Sequence, residues 1–200
     1  MTQKNNKIRA LAEGAIMIAA ATVLGYFRIF RFPFGGSIDL ALVPILVYCL
    51  RWGPRYSLMC CFVNGVLQYF LGGGIAISWQ SMLLDYVVAY TLVFLCGFGS
   101  GKKLGWLWGT ILGSFGRWVS LTLSGGLLWY MYMPETFLGL PMVNPWIYSM
   151  LLNGVLVLAV MAVNLAVLGI MQTVPALRRL VLARQITGEI QAGYERASMY

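Results

Sequence analysis

The stretch Trp79-Gln80-Ser81-Met82-Leu83-Leu84-Asp85-Tyr86-Val87-Val88-Ala89-Tyr90-Thr91-Leu92-Val93-Phe94-Leu95-Cys96-Gly97 decides the fold. A helix over it would be roughly 28 Å long, close to the roughly 30 Å hydrocarbon core of a bilayer. Its one charged residue is Asp85. A carboxylate near the centre of a membrane helix costs about 2.5–3.5 kcal/mol. Other acidic residues in the apolar part of the chain lie near the start of a run, so Asp85 stands out as a functional group. A buried negative charge most readily serves a cation.

Composition extends that reading to the whole chain. It has 200 residues, 60% hydrophobic and 10% charged, with mean hydropathy +0.79. Soluble domains carry about 25% charged residues. The expected fold class is an all-α integral membrane protein, a six-transmembrane-helix bundle over residues 1–174, followed by a basic tail over 175–200. The chain has no histidine. That removes Ser/His/Asp and Cys/His catalysis, His-ligated zinc and His proton relays together. Cys49, Cys60, Cys61 and Cys96 fall inside apolar runs without CxxC spacing and read as small buried hydrophobes. No catalytic residue, metal site or cofactor is expected.

The net charge of +8 does not point to nucleic acid, because the positive residues cluster at the ends of apolar runs. The N-terminus, with Lys4, Lys7 and Arg9 before an apolar run, resembles a signal peptide. The run is long, carries Glu13 and lacks a convincing cleavage site, so it reads as a retained first helix. The expected spans cover roughly residues 8–27, 39–50, 55–71, 79–99, 104–131 and 145–171. The second is too short to cross unaided and contains Pro44. Arg51 to Arg55 form a tight turn, Gly72-Gly73-Gly74 ends the third span, and Pro134, Pro141 and Pro145 mark a longer irregular loop.

Charge then orients the bundle. Lys4, Lys7 and Arg9 precede the first span, Arg51 and Arg55 lie between the second and third, and Lys102 and Lys103 between the fourth and fifth. Arg178, Arg179, Arg184 and Arg196 follow the sixth. The other side has only Arg28 and Arg31, so the positive-inside rule makes both termini cytoplasmic. The tail, with Leu177, Leu180, Val181 and Arg184 at helical spacing, is expected along the cytoplasmic interface.

With that orientation, Asp85 on the fourth span, Gly125 and Trp129 on the fifth, and Tyr148 and Asn153 on the sixth fall at similar depths in the outer half. A carboxylate, an aromatic plane, a phenol and an amide within apolar walls make a small-molecule pocket. The set suits a flat, cationic, nitrogen-bearing ligand, held by charge, by cation–π attraction and by an amide that donates and accepts. Other roles stay open. Asp85 could pair with Arg117, Trp129 and Tyr148 could be interfacial belt aromatics, and Asn153 could bond across helices as packing. On the first span Ala12, Ala15, Ala19 and Thr22 form a smooth seam, for packing inside the bundle or for docking another membrane protein. The Gly99-Ser100-Gly101-Lys102-Lys103 stretch lacks the glycine offset and the hydroxyl residue of a phosphate-binding loop.

An ordered set of segments carries a resemblance. Gly35-Gly36-Ser37-Ile38, Val43-Pro44-Ile45, Leu50-Arg51-Trp52-Gly53-Pro54, Asn64-Gly65-Val66-Leu67-Gln68 and Leu83-Leu84-Asp85-Tyr86 are followed by Arg117, Ser124-Gly125, Trp129 and Tyr148 to Asn153-Gly154. Together they resemble the thiamine-specific substrate-binding (S) component of energy-coupling factor (ECF) transporters. The resemblance implies a multi-pass protein of the bacterial cell membrane, without enzymatic activity, that captures thiamine from outside. ATP-driven import would need a transmembrane coupling subunit and two cytoplasmic ATPases. Membrane lipid is the other expected partner. The implied substrate-binding residues are Asp85, Tyr86, Gly125, Trp129, Tyr148 and Asn153, with Phe34 as an aromatic lid, and Ala15 and Ala19 as the partner-docking face. Two departures matter: Leu121 stands where the family has a pocket histidine, and Ser78-Trp79 replaces a His-Pro-like step. The first leaves a thiamine precursor or another cationic heterocycle as the alternative substrate.

Overall fold

The computed structural model of the chain describes residues 3–32 and 36–178. Helix α1 spans Gln3–Tyr26, followed by the short paired strands β1 (Phe30–Arg31) and β2 (Ser37–Ile38). Helices α2 (Leu42–Trp52) and α3 (Pro54–Leu71) follow, and then a continuous helical run, α4, over Trp79–Gly99. Helix α5 spans Gly105–Leu127, a hairpin pairs β3 (Thr136–Phe137) with β4 (Leu140–Pro141), and α6 spans Pro145–Thr173. Among the described residues, three helices are long and apolar enough to cross a membrane by length and composition: Asn6–Tyr26, Trp79–Gly99 and Pro145–Thr173.

The core forms around α2. Every residue of this helix except Arg51 is buried, and a helix that is apolar on all sides belongs in the middle of a bundle. That explains its shortness: it packs against protein along its length. Pro44 sits in its first turn, where proline costs no hydrogen bond. Tyr48 reaches from α2 into the small-residue face of α1, beside Gly14, and its hydroxyl donates to the Ala10 carbonyl at 3.0 Å. The α2–α3 turn is made possible by Gly53 at φ +75°, with Pro54 opening α3. All four cysteines are buried and free, and the sulfurs of Cys49 and Cys61 lie 3.6 Å apart.

Glu13 ties α1 to the C-terminal end of α2 at this end of the bundle. It pairs with Arg9 at 2.8 Å and with Arg51 at 2.9 Å, and it accepts the Trp52 indole N–H at 2.8 Å. The seam expected on α1 faces away from the bundle: Ala12, Ala15 and Ala19 are exposed, while Ala10, Gly14, Ile18, Ala21 and Gly25 form the packed face. Packing within the bundle is therefore not the role of that seam.

Several element limits differ from expectation, for local reasons. The α1 helix begins at Gln3 instead of residue 8, since a helix can continue into polar surroundings past its apolar stretch. The α2 helix begins at Leu42 instead of Asp39, because the Asp39 carboxylate turns back onto the backbone. It accepts the Ala41 N–H at 3.0 Å and the Ser37 hydroxyl at 3.3 Å. The α5 helix stops at Leu127, four residues short of the expected end. The Ser124 carbonyl takes the N–H groups of both Leu128 and Trp129, and a 3₁₀ turn over Tyr130–Tyr132 follows. Most of the 175–200 tail, including Leu180, Val181 and Arg184, lies outside the described residues.

Candidate functional site

The fourth helix changes its hydrogen-bond register at Asp85. After an α-helical turn at Trp79–Met82, whose N-cap is the Ser78 hydroxyl, the backbone becomes a π-helix over Leu83–Val88. It returns to α-helix at Ala89–Thr91 and tightens to 3₁₀ over Leu92–Gly99. A π turn widens the helix and leaves carbonyls poorly satisfied, and such turns recur at functional sites. The buried Ser120 hydroxyl on α5 supplies the compensation, donating to the Leu84 carbonyl at 2.7 Å. The wide turn directs Asp85 and Tyr86 into a cavity of about 800 Å³, enclosed by α4, α5, α6 and the loops after α1 and α3.

Asp85, Tyr86, Leu121, Gly125, Trp129, Tyr148 and Asn153 all line this one cavity. Phe34 lies outside the described residues. The α5 helix presents Arg117, Leu121 and Gly125 on one face at four-residue spacing, and Trp129 follows just past its C-terminal end. The Trp129 indole N–H donates to Asp85 Oδ2 at 2.9 Å. Among the described residues the carboxylate has no cationic partner. Arg117 does not pair with it, because its guanidinium lies over the Tyr90 ring, 4.7 Å from the centroid. The Arg117 Nε is buried without a hydrogen-bond partner in the structure.

The wall between α5 and α6 is built around Gly125. A Cβ there would overlap the Ser149 hydroxyl, so the glycine permits close packing of the two helices as well as opening the cavity wall. Ser149 donates to the Thr122 carbonyl at 2.9 Å. The Asn153 amide nitrogen donates to the carbonyls of Leu121 and Ser149 at 3.2 and 3.0 Å. Bonds to α5 and within α6 thus consume the donor side of Asn153, and its Oδ1 remains without a partner among the described residues. Tyr148 packs edge-on against Phe137 of the β3–β4 hairpin, with centroids 5.4 Å apart.

The remaining wall comes from the loops. The Tyr86 hydroxyl accepts the Ile75 N–H at 3.0 Å, tying the loop after α3 to the π turn, and Tyr86 packs on Tyr69. Arg28 donates to the Gly72 carbonyl at 2.8 Å, joining this loop to the one after α1. Sequence reading did not place Asp39, Arg28, Arg31 or Tyr90 in the site, yet all line the cavity. Asp39 carried a usable signal, as an acidic residue three positions after the Gly35-Gly36 pair at the start of an apolar run. The cations carried none, since arginines at span ends are ordinary topology determinants.

Comparisons with known proteins agree with one another. Residues 11–178 match the family described as "Thiamine transporter protein (Thia_YuaJ)". The chain is 31% identical over 171 residues to Thiamine transporter ThiT of Bacillus subtilis, covering 77% of this chain and 84% of that protein. It is 28% identical over 188 residues to Thiamine transporter ThiT of Lacticaseibacillus paracasei, covering 86% and 90%. A solved structure of ThiT from Listeria monocytogenes shares the fold with a TM-score of 0.74, at 22% identity, over 86% of this chain and 98% of that one. The chain is thus a multi-pass bacterial membrane protein and belongs to the thiamine transporter family.

Proposed function

We propose that this chain is the membrane substrate-binding subunit of an ECF-type uptake system, and that it captures thiamine from the outside. The observation that carries the reading is Asp85. It sits on a π turn, opens into a cavity of about 800 Å³, and takes one indole N–H but no cation. Thiamine supplies the missing charge in its thiazolium ring. Trp129 and Tyr148 offer faces to a flat cation, worth about 2 kcal/mol or more when desolvated. The unpartnered Oδ1 of Asn153 can accept a ring amino group. Tyr86 holds the loop after α3 at the rim through Ile75, and Leu121 contributes an apolar wall.

The topology that goes with this reading has six membrane crossings and both termini cytoplasmic. The membrane domain covers residues 1–174, and the basic tail lies on the inner surface. Import then requires a transmembrane coupling subunit and two cytoplasmic ATPases. The exposed face of α1 at Ala15 and Ala19 suits close helix–helix approach to the coupling subunit. Ala15→Trp is expected to abolish co-purification of that subunit while leaving thiamine binding intact.

Calorimetry with the purified chain tests the substrate. Thiamine is expected to bind more tightly than its pyrimidine or thiazole half alone. One observation favours a second reading: Leu121 removes a ring and a polar group from the position of the family histidine. Tighter binding of either half than of thiamine would assign the chain to a precursor instead.

A further inference from the structure

At the opposite end of the bundle, two turns enclose a second groove. We propose that this groove binds the headgroup of an anionic phospholipid. It has a volume of about 560 Å³ and lies between the α2–α3 turn and the turn that follows α4. Trp52, Tyr56 and Phe98 supply aromatic walls, and Arg55 is the one charged residue in the lining. Lys102 and Lys103 follow directly on Gly101 at the edge of the groove.

The charges are what make this groove a candidate. Arg9 and Arg51, at the same end of the bundle, are both engaged by the one Glu13 carboxylate. Arg55, Lys102 and Lys103 are exposed, and none makes an ion pair or side-chain hydrogen bond with any described residue. Among the described residues, no acidic one lines the groove. Three unpaired cations beside a concave aromatic surface complement one phosphodiester. A guanidinium can hold two of its oxygens, and ammonium groups can reach the others.

Position selects lipid over a soluble anion. The groove lies where the Trp79–Gly99 span ends, the depth at which a helix long enough to cross the hydrocarbon core meets the headgroups. Phe98 is half exposed beside it, so acyl chains can continue along apolar surface while the phosphate stays with the cations. Tryptophan and tyrosine favour this same level. Diffuse attraction of basic loops to an anionic surface needs no groove. A site does, and that difference is measurable.

The full chain, purified in a neutral detergent, is exposed to equal amounts of phosphatidylglycerol and phosphatidylcholine and examined by native mass spectrometry. Retention of phosphatidylglycerol is expected to exceed that of phosphatidylcholine by about tenfold. Arg55→Gln/Lys102→Gln/Lys103→Gln is expected to remove the preference, with thiamine titration unchanged. Ser100→Trp keeps every charge but fills the groove, and is expected to remove the preference too. In the unaltered chain, a photo-crosslinker on the phosphatidylglycerol headgroup is expected to label residues 52–56 and 97–101. Labelling spread evenly over the basic loops would overturn the proposal, as would equal competition by soluble glycerol phosphate. A triple variant that keeps its lipid preference but loses its partner subunits would also overturn it and assign the groove to protein.

Discussion

Glu13 and Asp85 are two carboxylates placed on membrane-type helices at opposite ends of the same bundle. Each accepts an indole N–H, from Trp52 at 2.8 Å and from Trp129 at 2.9 Å. The difference lies in what else they meet. Glu13 also receives Arg9 and Arg51, which leaves it saturated. Asp85 receives no cation from the described residues and faces a cavity. One carboxylate is a clasp between α1 and the α2–α3 turn. The other has been given the same aromatic donor and denied the countercharge, which is the arrangement a site needs if the countercharge arrives with a guest. Desolvating an anion without a counterion is unfavourable, so the fold bears a cost at Asp85 that it avoids at Glu13.

The comparison breaks most sharply at the carboxylates themselves. Asp85→Asn is expected to weaken thiamine binding by about 10- to 100-fold, the loss of a hydrogen bond to a charged group, with thermal stability unchanged or raised. Glu13→Gln is expected to do the reverse. Stability falls by about 1–3 kcal/mol, because two arginines lose their partner, and the thiamine Kd stays within about threefold. Thermal unfolding and calorimetric titration of both variants measure the contrast. If Glu13→Gln weakened binding as much as Asp85→Asn, the two ends would not be functionally separate.

Gly125→Val comes next. Its side chain would push against Ser149 and separate α5 from α6, at about 1–3 kcal/mol of stability. Binding should fall with it, because Asn153 and Trp129 lose their common register. A thermal shift with and without thiamine reads both effects.

The two tryptophans then sharpen the comparison. Trp129→Phe removes the indole donor from Asp85 and is expected to lower affinity by about tenfold, from roughly 1–1.5 kcal/mol. Trp52→Phe is expected to lower stability by a similar energy and leave affinity alone. The smallest effect is expected for Tyr86→Phe. The Ile75 N–H loses its acceptor, so its amide should exchange faster with solvent while the Kd moves little, and hydrogen exchange reads this directly.

Much of this was legible in the chain before its structure. The span expected over residues 79–99 matches α4, and the cysteines read correctly as buried. Depth counting brought Asp85, Trp129, Tyr148 and Asn153 to one level. What the residues did not disclose is non-local. The π turn at Leu83–Val88 depends on a hydroxyl donated from Ser120, 36 positions away, and no local pattern in Leu83 to Val88 encodes it. Glu13 looked like an unremarkable acid near a helix start because its decisive partners, Arg51 and Trp52, are 38 and 39 positions distant. Gly125 was placed in the pocket by its depth, and it also relieves a helix–helix contact that only the packed bundle creates. Asp39 was assigned to a helix start, but its own carboxylate folds back onto Ala41 and moves that start to Leu42.

The role of charge at Asp85 is tested most directly by changing the ligand together with the protein. Thiamine is compared with a neutral analogue in which carbon replaces the thiazolium nitrogen, each titrated against the unaltered chain and Asp85→Asn. If the carboxylate holds the thiazolium charge, the unaltered chain prefers thiamine by about tenfold or more, and the preference collapses in Asp85→Asn. An equal preference for thiamine in both proteins would contradict that role for Asp85.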